Sequence, residues 1–172
     1  MESTASRARV HDPSSTRILV VADWKLDPHA VVAACSRHLE SHDASFALLV
    51  PAWLHGLDWA GDPTASLPCA QRQLERVHEL CVAAGLPVST ADVGDPNAVT
   101  AIGDVLLSQP VDEILVCVRA RHVVGHRFDL AHRAERATGI PTRRVAVPAA
   151  RGRSRIPTWT RLRRGHRAVV AG

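Results

Sequence analysis

The sequence predicts an α/β protein with a doubly wound, five-stranded parallel sheet and helices on both faces. Apolar runs with few polar interruptions alternate with segments whose apolar residues recur at helical spacing. Such continuous runs are typical of strands that are buried on both faces of a parallel sheet. Hydrophobic residues make up 46 % of the 172 residues but aromatic residues only 3 %, which favours alternating strands and helices over a β-sandwich.

The first strand is predicted at Ile18–Ala22, inside the stretch RILVVADW, and it ends at the acid Asp23. A helix follows, because Asp27 is a good N-cap and Pro28 suits the first helical position. The second strand is predicted at Ser45–Val50. These elements give the first strand–helix–strand unit of the sheet.

A long connection is predicted at residues 51–68, which contain Pro, Gly and two Trp. We expect Trp53 and Trp59 to anchor part of it. The helix that follows carries an apolar stripe and is closed by Gly85 and Pro87. It covers the sequence CAQRQLERVHELCVAAGLP.

The last third of the predicted fold repeats the same alternation. One helix is expected to begin with Asp95 as its cap and Pro96 as its first residue, and another to occupy residues 127–138 and stop at Gly139. The third, fourth and fifth strands are predicted in VSTADVGDP, DEILVCV and TRRVAVP.

Charge and composition divide the chain into one folded domain at 17–148 and two tails, 1–16 and 149–172, which are expected to be disordered. The C-terminal tail contains seven arginines, one Trp and no acid, so it carries +7 and the remaining residues sum to −3. Phosphate contacts and stacking could hold nucleic acid on such a tail. The alternative is a solvated extension with no partner.

The N-terminal residues lack the apolar core of a signal peptide, and no run of about 18 apolar residues suggests a membrane span. A cytoplasmic location without membrane contact is therefore expected. The four cysteines, at positions 35, 69, 81 and 117, are predicted to be reduced and buried. The histidine pair His38 and His42 has no third ligand at a diagnostic spacing, so no metal site is expected.

Polar side chains are expected at the carboxyl ends of the first and fourth strands, where ligands bind in open parallel sheets. Asp23 follows the first strand, and Arg119 and Arg121 follow the fourth. An aspartate there can accept hydrogen bonds from a ribose hydroxyl or an adenine amino group. Alternatively, it caps nearby backbone N–H groups or pairs with Arg119.

Four segments in this order resemble the universal stress protein family, within the adenine-nucleotide alpha-hydrolase-like superfamily. They are RILVVAD, VGDPNAVTAIGDVL, PVDEILVCV and TGIPTRRVAVP, and the resemblance covers about residues 16–148. It implies the strand order 3-2-1-4-5 and a homodimer through the last strand. In many members of the family, ATP lies against the first and fourth strands.

The chain departs from this family in the loop after the fourth strand. ATP-binding members carry glycines there in the form G-x2-G-x9-G-S/T, which let backbone N–H groups approach the phosphates. Here Val118 and Arg121 stand where the first two glycines are expected, and only Gly125 remains. The arginines could bind phosphate directly, or they could fill the crevice and pair with Asp23. We favour the second interpretation, because long side chains take up volume.

The sequence therefore predicts a non-enzymatic regulatory or stress-response protein with a degenerate nucleotide crevice and no bound cofactor. No nucleophile elbow, zinc-protease motif or Walker loop is present. The candidate crevice residues are Asp23, Arg119, Arg121 and Gly125. The alternatives are an adenine-nucleotide-binding member of the same family, with ATP as ligand, and a nucleic-acid-associated protein that acts through its tail.

Overall fold

A computed structural model describes residues 15–40, 43–54, 64, 66–119 and 129–150. They form a parallel five-stranded sheet in the order β3-β2-β1-β4-β5, which confirms the predicted fold class and strand order. The elements are β1 Thr16–Ala22, α1 Pro28–Leu39, β2 Ala44–Pro51, α2 Leu67–Ala83, β3 Val88–Gly94, α3 Ala98–Ser108, β4 Glu113–Arg119, α4 Leu130–Thr138 and β5 Thr142–Val147. Most of the two predicted tails, with His42 and Trp59, lies outside the described residues, so the domain limits stay a prediction.

Alternate side chains of the central strand β1 enter two separate cores. Ile18 and Val20 pack with residues of α1 and α2 on one face. Leu19 and Val21 pack with residues of α3 and α4 on the other face. Because both faces are covered, the strands are apolar along their length, as the sequence indicated.

The predicted start of α1 is confirmed, since the carboxylate of Asp27 accepts a hydrogen bond from the N–H of His29. The predicted start of α3 is wrong by two residues. Asn97 is its N-cap and accepts from the N–H of Val99 at 3.1 Å. The carboxylate of Asp95 instead accepts from the N–H of Asn97 at 2.6 Å. Two capping residues stand in series here, and the local pattern did not show which one begins the helix.

The helix α2 begins at Leu67, earlier than the predicted connection allowed, and it contains Pro68 in its first turn. Its end is as predicted. Gly85 adopts a left-handed φ of 73°, and the N–H of Leu86 donates to the carbonyl of Cys81 at 3.0 Å. This is the hydrogen-bond pattern of a Schellman cap.

Gly94 lies at the end of β3, where α3 approaches the sheet. A Cβ at this position would lie 2.5 Å from the Cβ of Ala101 and 2.8 Å from Cδ1 of Leu49. The absence of a side chain therefore lets α3 approach β2 and β3 closely.

All four cysteines lie in helices or strands and carry free thiols. Cys35, Cys81 and Cys117 are buried, as predicted. Cys69 is half-exposed in the first turn of α2, so the prediction of burial is wrong for that residue.

Candidate ligand site at the carboxyl edge of the sheet

The strands β1 and β4 are parallel neighbours, and the strand order reverses at this point: β2 and β3 lie on one side of β1, and β4 and β5 lie on the other. Ala22 near the end of β1 pairs with Cys117 in β4. Asp23 and Arg119 therefore reach the same edge of the sheet, as the sequence indicated. In doubly wound folds this is the point where a crevice opens outside the carboxyl ends of the strands.

Asp23 takes part in the turn that joins β1 to α1. Its carboxylate accepts a hydrogen bond from the N–H of Lys25 at 2.9 Å, and its carbonyl accepts from the N–H of Leu26 at 3.1 Å. Within the described residues, no hydrogen bond or ion pair joins Asp23 to the half-buried Arg119. The carboxylate of Asp23 thus caps one backbone N–H group, and the favoured pairing of Asp23 with the arginines after β4 stays a prediction.

Arg121 and Gly125, the other two candidate crevice residues, lie outside the described part of the chain. Their placement in the crevice, and a pairing of Arg121 with Asp23, stay predictions. Described residues resume at Asp129, directly before α4.

Asp129 occupies the N-cap of α4, the helix that follows β4. One carboxylate oxygen accepts from the N–H of Ala131 at 3.3 Å, and the other binds Nη1 of Arg144 in β5 at 3.0 Å. Only 14 % of the Asp129 side chain is exposed. One N–H group at the start of this helix is therefore already bound by a carboxylate, and Arg144 compensates the charge of that carboxylate.

Trp24 connects the loops that follow β1 and β2. Its indole Nε1 donates to the carbonyl of Trp53 at 3.2 Å, and its ring lies 4.7 Å from Nζ of Lys25. Trp53 was expected to anchor the connection after β2, but the role of Trp24 was missed. The sequence signal was present, since a large aromatic residue directly follows the edge acid.

Residues Pro148–Ala150, which we call the C-terminal strap, run from the end of β5 to the loop after β1. The N–H of Asp27 donates to the carbonyl of Pro148 at 3.0 Å, and the N–H of Ala150 donates to the carbonyl of Lys25 at 2.9 Å. Leu26 and Ala149 form an antiparallel bridge between these hydrogen bonds. Because β4 lies between β1 and β5 in the sheet, the strap spans the end of β4.

The loop after β1 is also held from α2. The buried amide Nε2 of Gln73 donates to the carbonyl of Leu26 at 3.0 Å, and the side chain of Leu26 is 1 % exposed. The loop that carries Asp23 is thus fixed by the strap, by α2 and by the core. Nothing in the sequence pattern distinguished Gln73 from the exposed polar residues of the same helix.

A cavity of about 270 Å³ lies at the opposite, amino edge of the sheet. Arg17 is the cation in its lining, and its guanidinium forms two hydrogen bonds with Asp112, at 2.8 and 2.6 Å. Ser45, Ser89 and Gln109 supply its other polar groups. This cavity and the candidate crevice lie at opposite edges of the sheet, so the cavity is not part of a site at the carboxyl ends of β1 and β4.

The histidine near the end of α1 is buried beside a glutamate of β4. Nε2 of His38 lies 3.2 Å from Glu113 in β4, and Glu113 also binds Nε of Arg143 in β5 at 3.2 Å. Among the described residues, no group of three or more His, Cys, Asp or Glu side chains is arranged to hold a metal ion. None of the described helices combines the length and apolarity that crossing a bilayer requires.

The strand order and the switch point between β1 and β4 define a doubly wound α/β protein. No protein-family model matches the sequence, and no curated protein matches it. Solved structures do match, and they give this chain the fold of universal stress proteins. A universal stress protein from Archaeoglobus fulgidus aligns with a TM-score of 0.53 and 14 % identity, over 75 % of this chain and 92 % of that chain.

A second match is a universal stress protein whose crystal structure was determined in complex with cAMP. It aligns with a TM-score of 0.51 and 16 % identity, over 78 % of this chain and 99 % of that chain. At these identities the comparisons establish a shared fold. They support the resemblance found in the sequence at the level of architecture.

Proposed function

We propose that this protein is a non-enzymatic, universal stress protein-like regulator with a stress-response role, whose nucleotide crevice is degenerate. The observation that carries this proposal is the Asp129 carboxylate at the start of α4. In phosphate-binding folds, the helix that follows such a strand directs its free N–H groups at the phosphate. Here the Asp129 carboxylate already accepts from one of these groups, and it also binds Arg144, the described cation beside it.

The other half of the crevice supports the same proposal. The carboxylate of Asp23 already accepts the N–H of Lys25, and the loop that carries it is fastened by the C-terminal strap. An adenine or ribose that approached Asp23 would compete with this intramolecular hydrogen bond. The acid after β1 and the acid at the start of α4 therefore both bind protein groups.

Isothermal titration with ATP is expected to show no binding tighter than high micromolar. The reason is that the Asp129 carboxylate already accepts from an N–H group at the start of α4 and also binds Arg144. Asp129→Asn is the matched variant, because asparagine keeps the cap and removes the charge. We expect this variant to bind ATP more tightly than the native protein. A low-micromolar affinity for ATP in the native protein would contradict the proposal.

The first alternative is a true adenine-nucleotide-binding protein that uses Asp23, Arg119, Arg121 and Gly125. It is supported by the structural neighbour that was solved with cAMP and by the position of Asp23 and Arg119 at one edge of the sheet. The same titration distinguishes the two proposals when it is repeated with Arg119→Ala and with cAMP. Binding that Arg119→Ala abolishes would establish the alternative. A bound nucleotide would also raise the melting temperature by mass action.

The second alternative is a nucleic-acid-associated protein that acts through the arginine-rich residues after the strap. A chain that ends at Ala150 keeps the strap and is the appropriate comparison. If the alternative is right, the full chain shifts single-stranded nucleic acid in a gel at low salt, the shift is lost at high salt, and the shortened chain gives none. No shift of the full chain at low salt would remove this alternative.

The homodimer through β5 stays a prediction. It is supported by the position of β5 at an edge of the sheet. The two arginines of this strand are each paired within the chain, Arg143 with Glu113 and Arg144 with Asp129. Their pairing reduces the repulsion that a second copy of the strand would meet.

A further inference from the structure

The cavity at the amino edge of the sheet has no part in the proposed function. Its volume of about 270 Å³ is close to the lower end of the range for ligand pockets in proteins. Ala47, which lines it, belongs to the core that β1 and β2 share with α3 and α4. Because α3 ends at Ser108, the segment from Gln109 to Val111 lines the cavity beyond the helix. The cavity thus lies between the first residues of three strands and the turn that leads from α3 to β4.

Small side chains at the start of β2 leave this space open. Ser45 and Ala47 alternate with Phe46, so they point to the same face of the sheet as Leu49, which follows them in the strand. Ala47 and Leu49 are buried in the same core, and Ser45 is half-buried. A serine and an alanine fill less volume than the leucine does. A larger side chain at position 47 would therefore occupy the cavity.

The charged side chain of the lining is already neutralised within the fold. Nε and Nη2 of Arg17 donate to the two carboxylate oxygens of Asp112, at 2.8 and 2.6 Å. The backbone N–H of Arg17 donates to the same carboxylate at 2.9 Å, and the N–H of Asp112 donates to the carbonyl of Arg17 at 2.8 Å. Gln109 is the C-cap of α3, and the partial negative charge of a helix C-terminus also disfavours anions. The cavity is therefore suited to a neutral ligand rather than to a carboxylate or a phosphate.

Three polar groups of the lining keep hydrogen-bonding capacity that the fold does not use. Nε2 of Gln109 donates to Oγ1 of Thr90 at 2.8 Å, which leaves Oε1 of the same amide as an acceptor. Nη1 of Arg17 is not one of the nitrogens that bind Asp112. Within the described residues, the hydroxyl of Ser45 makes no hydrogen bond. The lining thus offers both donors and an acceptor, which is the pattern that a ligand amide requires.

We propose that this cavity binds a small neutral ligand in which a carboxamide or lactam group adjoins an apolar ring. The carbonyl oxygen of the ligand accepts from Nη1 of Arg17, and its N–H donates to Oε1 of Gln109. The ring lies against Ala47, Pro110 and Val111, which are among the apolar residues of the lining. The site goes beyond the proposed function and shares no residue with the crevice at the carboxyl ends of β1 and β4.

The test titrates the full chain with benzamide while two-dimensional ¹H–¹⁵N NMR spectra are recorded. Benzamide carries the neutral carboxamide and the apolar ring, and benzoate is its anionic counterpart of the same size. We expect saturable shifts of the amides of Ser45, Ser89 and Gln109, with a Kd of about 1–10 mM for a ligand of so few atoms. Benzoate should bind at least about tenfold more weakly, because its charge meets Asp112 and the C-terminus of α3.

Three variants make the result specific. Ala47→Leu should abolish the shifts by filling the cavity, and Ser45→Ala should weaken binding severalfold by removing a hydroxyl. Val82→Ala is the control and should bind as the native protein does, because Val82 is 59 % exposed in α2, on the other face of the sheet.

The proposal would be overturned if benzamide caused no saturable shift up to tens of millimolar, or if the shifts lay only outside the lining of the cavity. Native affinity in Ser45→Ala would also contradict it, and this variant keeps the test decisive if Ala47→Leu does not fold. Benzoate binding as tight as that of benzamide would overturn the neutral class of ligand.

Discussion

Gly94→Ala is expected to lower the free energy of unfolding by about 1–3 kcal/mol, as overpacking of a tight core usually does. The added Cβ would lie 2.5 Å from the Cβ of Ala101 and 2.8 Å from Leu49. The clash with Ala101 cannot be relieved by a rotamer change, since its Cβ is fixed to the backbone of α3. The helix must therefore move away from the sheet. Urea denaturation monitored by circular dichroism measures the loss.

Gly103→Ala is the matched control, because Gly103 lies inside the same helix with nothing within 4 Å of an added Cβ. Alanine is favoured over glycine in a helix interior, so this variant should gain up to about 1 kcal/mol. The same chemical change is thus expected to lower the free energy of unfolding at Gly94, which is packed against α3, and to raise it at Gly103, which has open space beside it. Equal effects at both positions would show that close packing at Gly94 does not limit stability.

Leu26→Ala is expected to cost about 2–5 kcal/mol, the range for truncating a buried leucine. Leu26 is 1 % exposed, although it belongs to a loop rather than to a helix or strand. Its backbone also receives the side chain of Gln73 and pairs with Ala149. Losing the side chain should therefore loosen the loop that carries Asp23 as well as the core.

Leu107→Ala provides the comparison, since Leu107 is 88 % exposed at the end of α3. Its free energy of unfolding should stay within about 0.5 kcal/mol of the native value. Hydrogen exchange gives the local readout for Leu26→Ala, where the amides of Asp27 and Ala150 should lose protection. If Leu26→Ala and Leu107→Ala had the same free energy of unfolding, the side chain of Leu26 in the loop after β1 would not be part of the core.

The fold was predictable because both of its periodicities are strong. The apolar runs around Val20 and Val116 are short and rich in valine, as strands are, and the stripe from Leu74 to Ala84 recurs at helical spacing. The start of α3 was misplaced because Asp95 and Asn97 are both good caps, and the chain uses them in series. Which of two adjacent caps begins a helix depends on packing that local sequence does not encode.

The candidate site was only partly predictable. The position of Asp23 could be predicted because an apolar run ends there. The strand order then places Asp23 and Arg119 at the same edge of the sheet. The strap and the contact from Gln73 could not be anticipated, because they join residues that are far apart in sequence through backbone groups. Asp129 carried a readable signal, an acid just before a helical stripe. The predicted start at residue 127 obscured it.

The C-terminal strap also affects the order in which the protein can be completed during synthesis. The loop after β1 is among the first parts of the domain to be made, yet its partners Pro148 and Ala150 are among the last. One edge of β1 likewise has no hydrogen-bonded neighbour until β4 has been made. Such distant pairings form slowly and leave strand edges open while the chain grows. While Ala150 is still inside the ribosome, the loop after β1 lacks its hydrogen-bond partners. This loop is made early, yet it is among the last parts of the domain to be held in place.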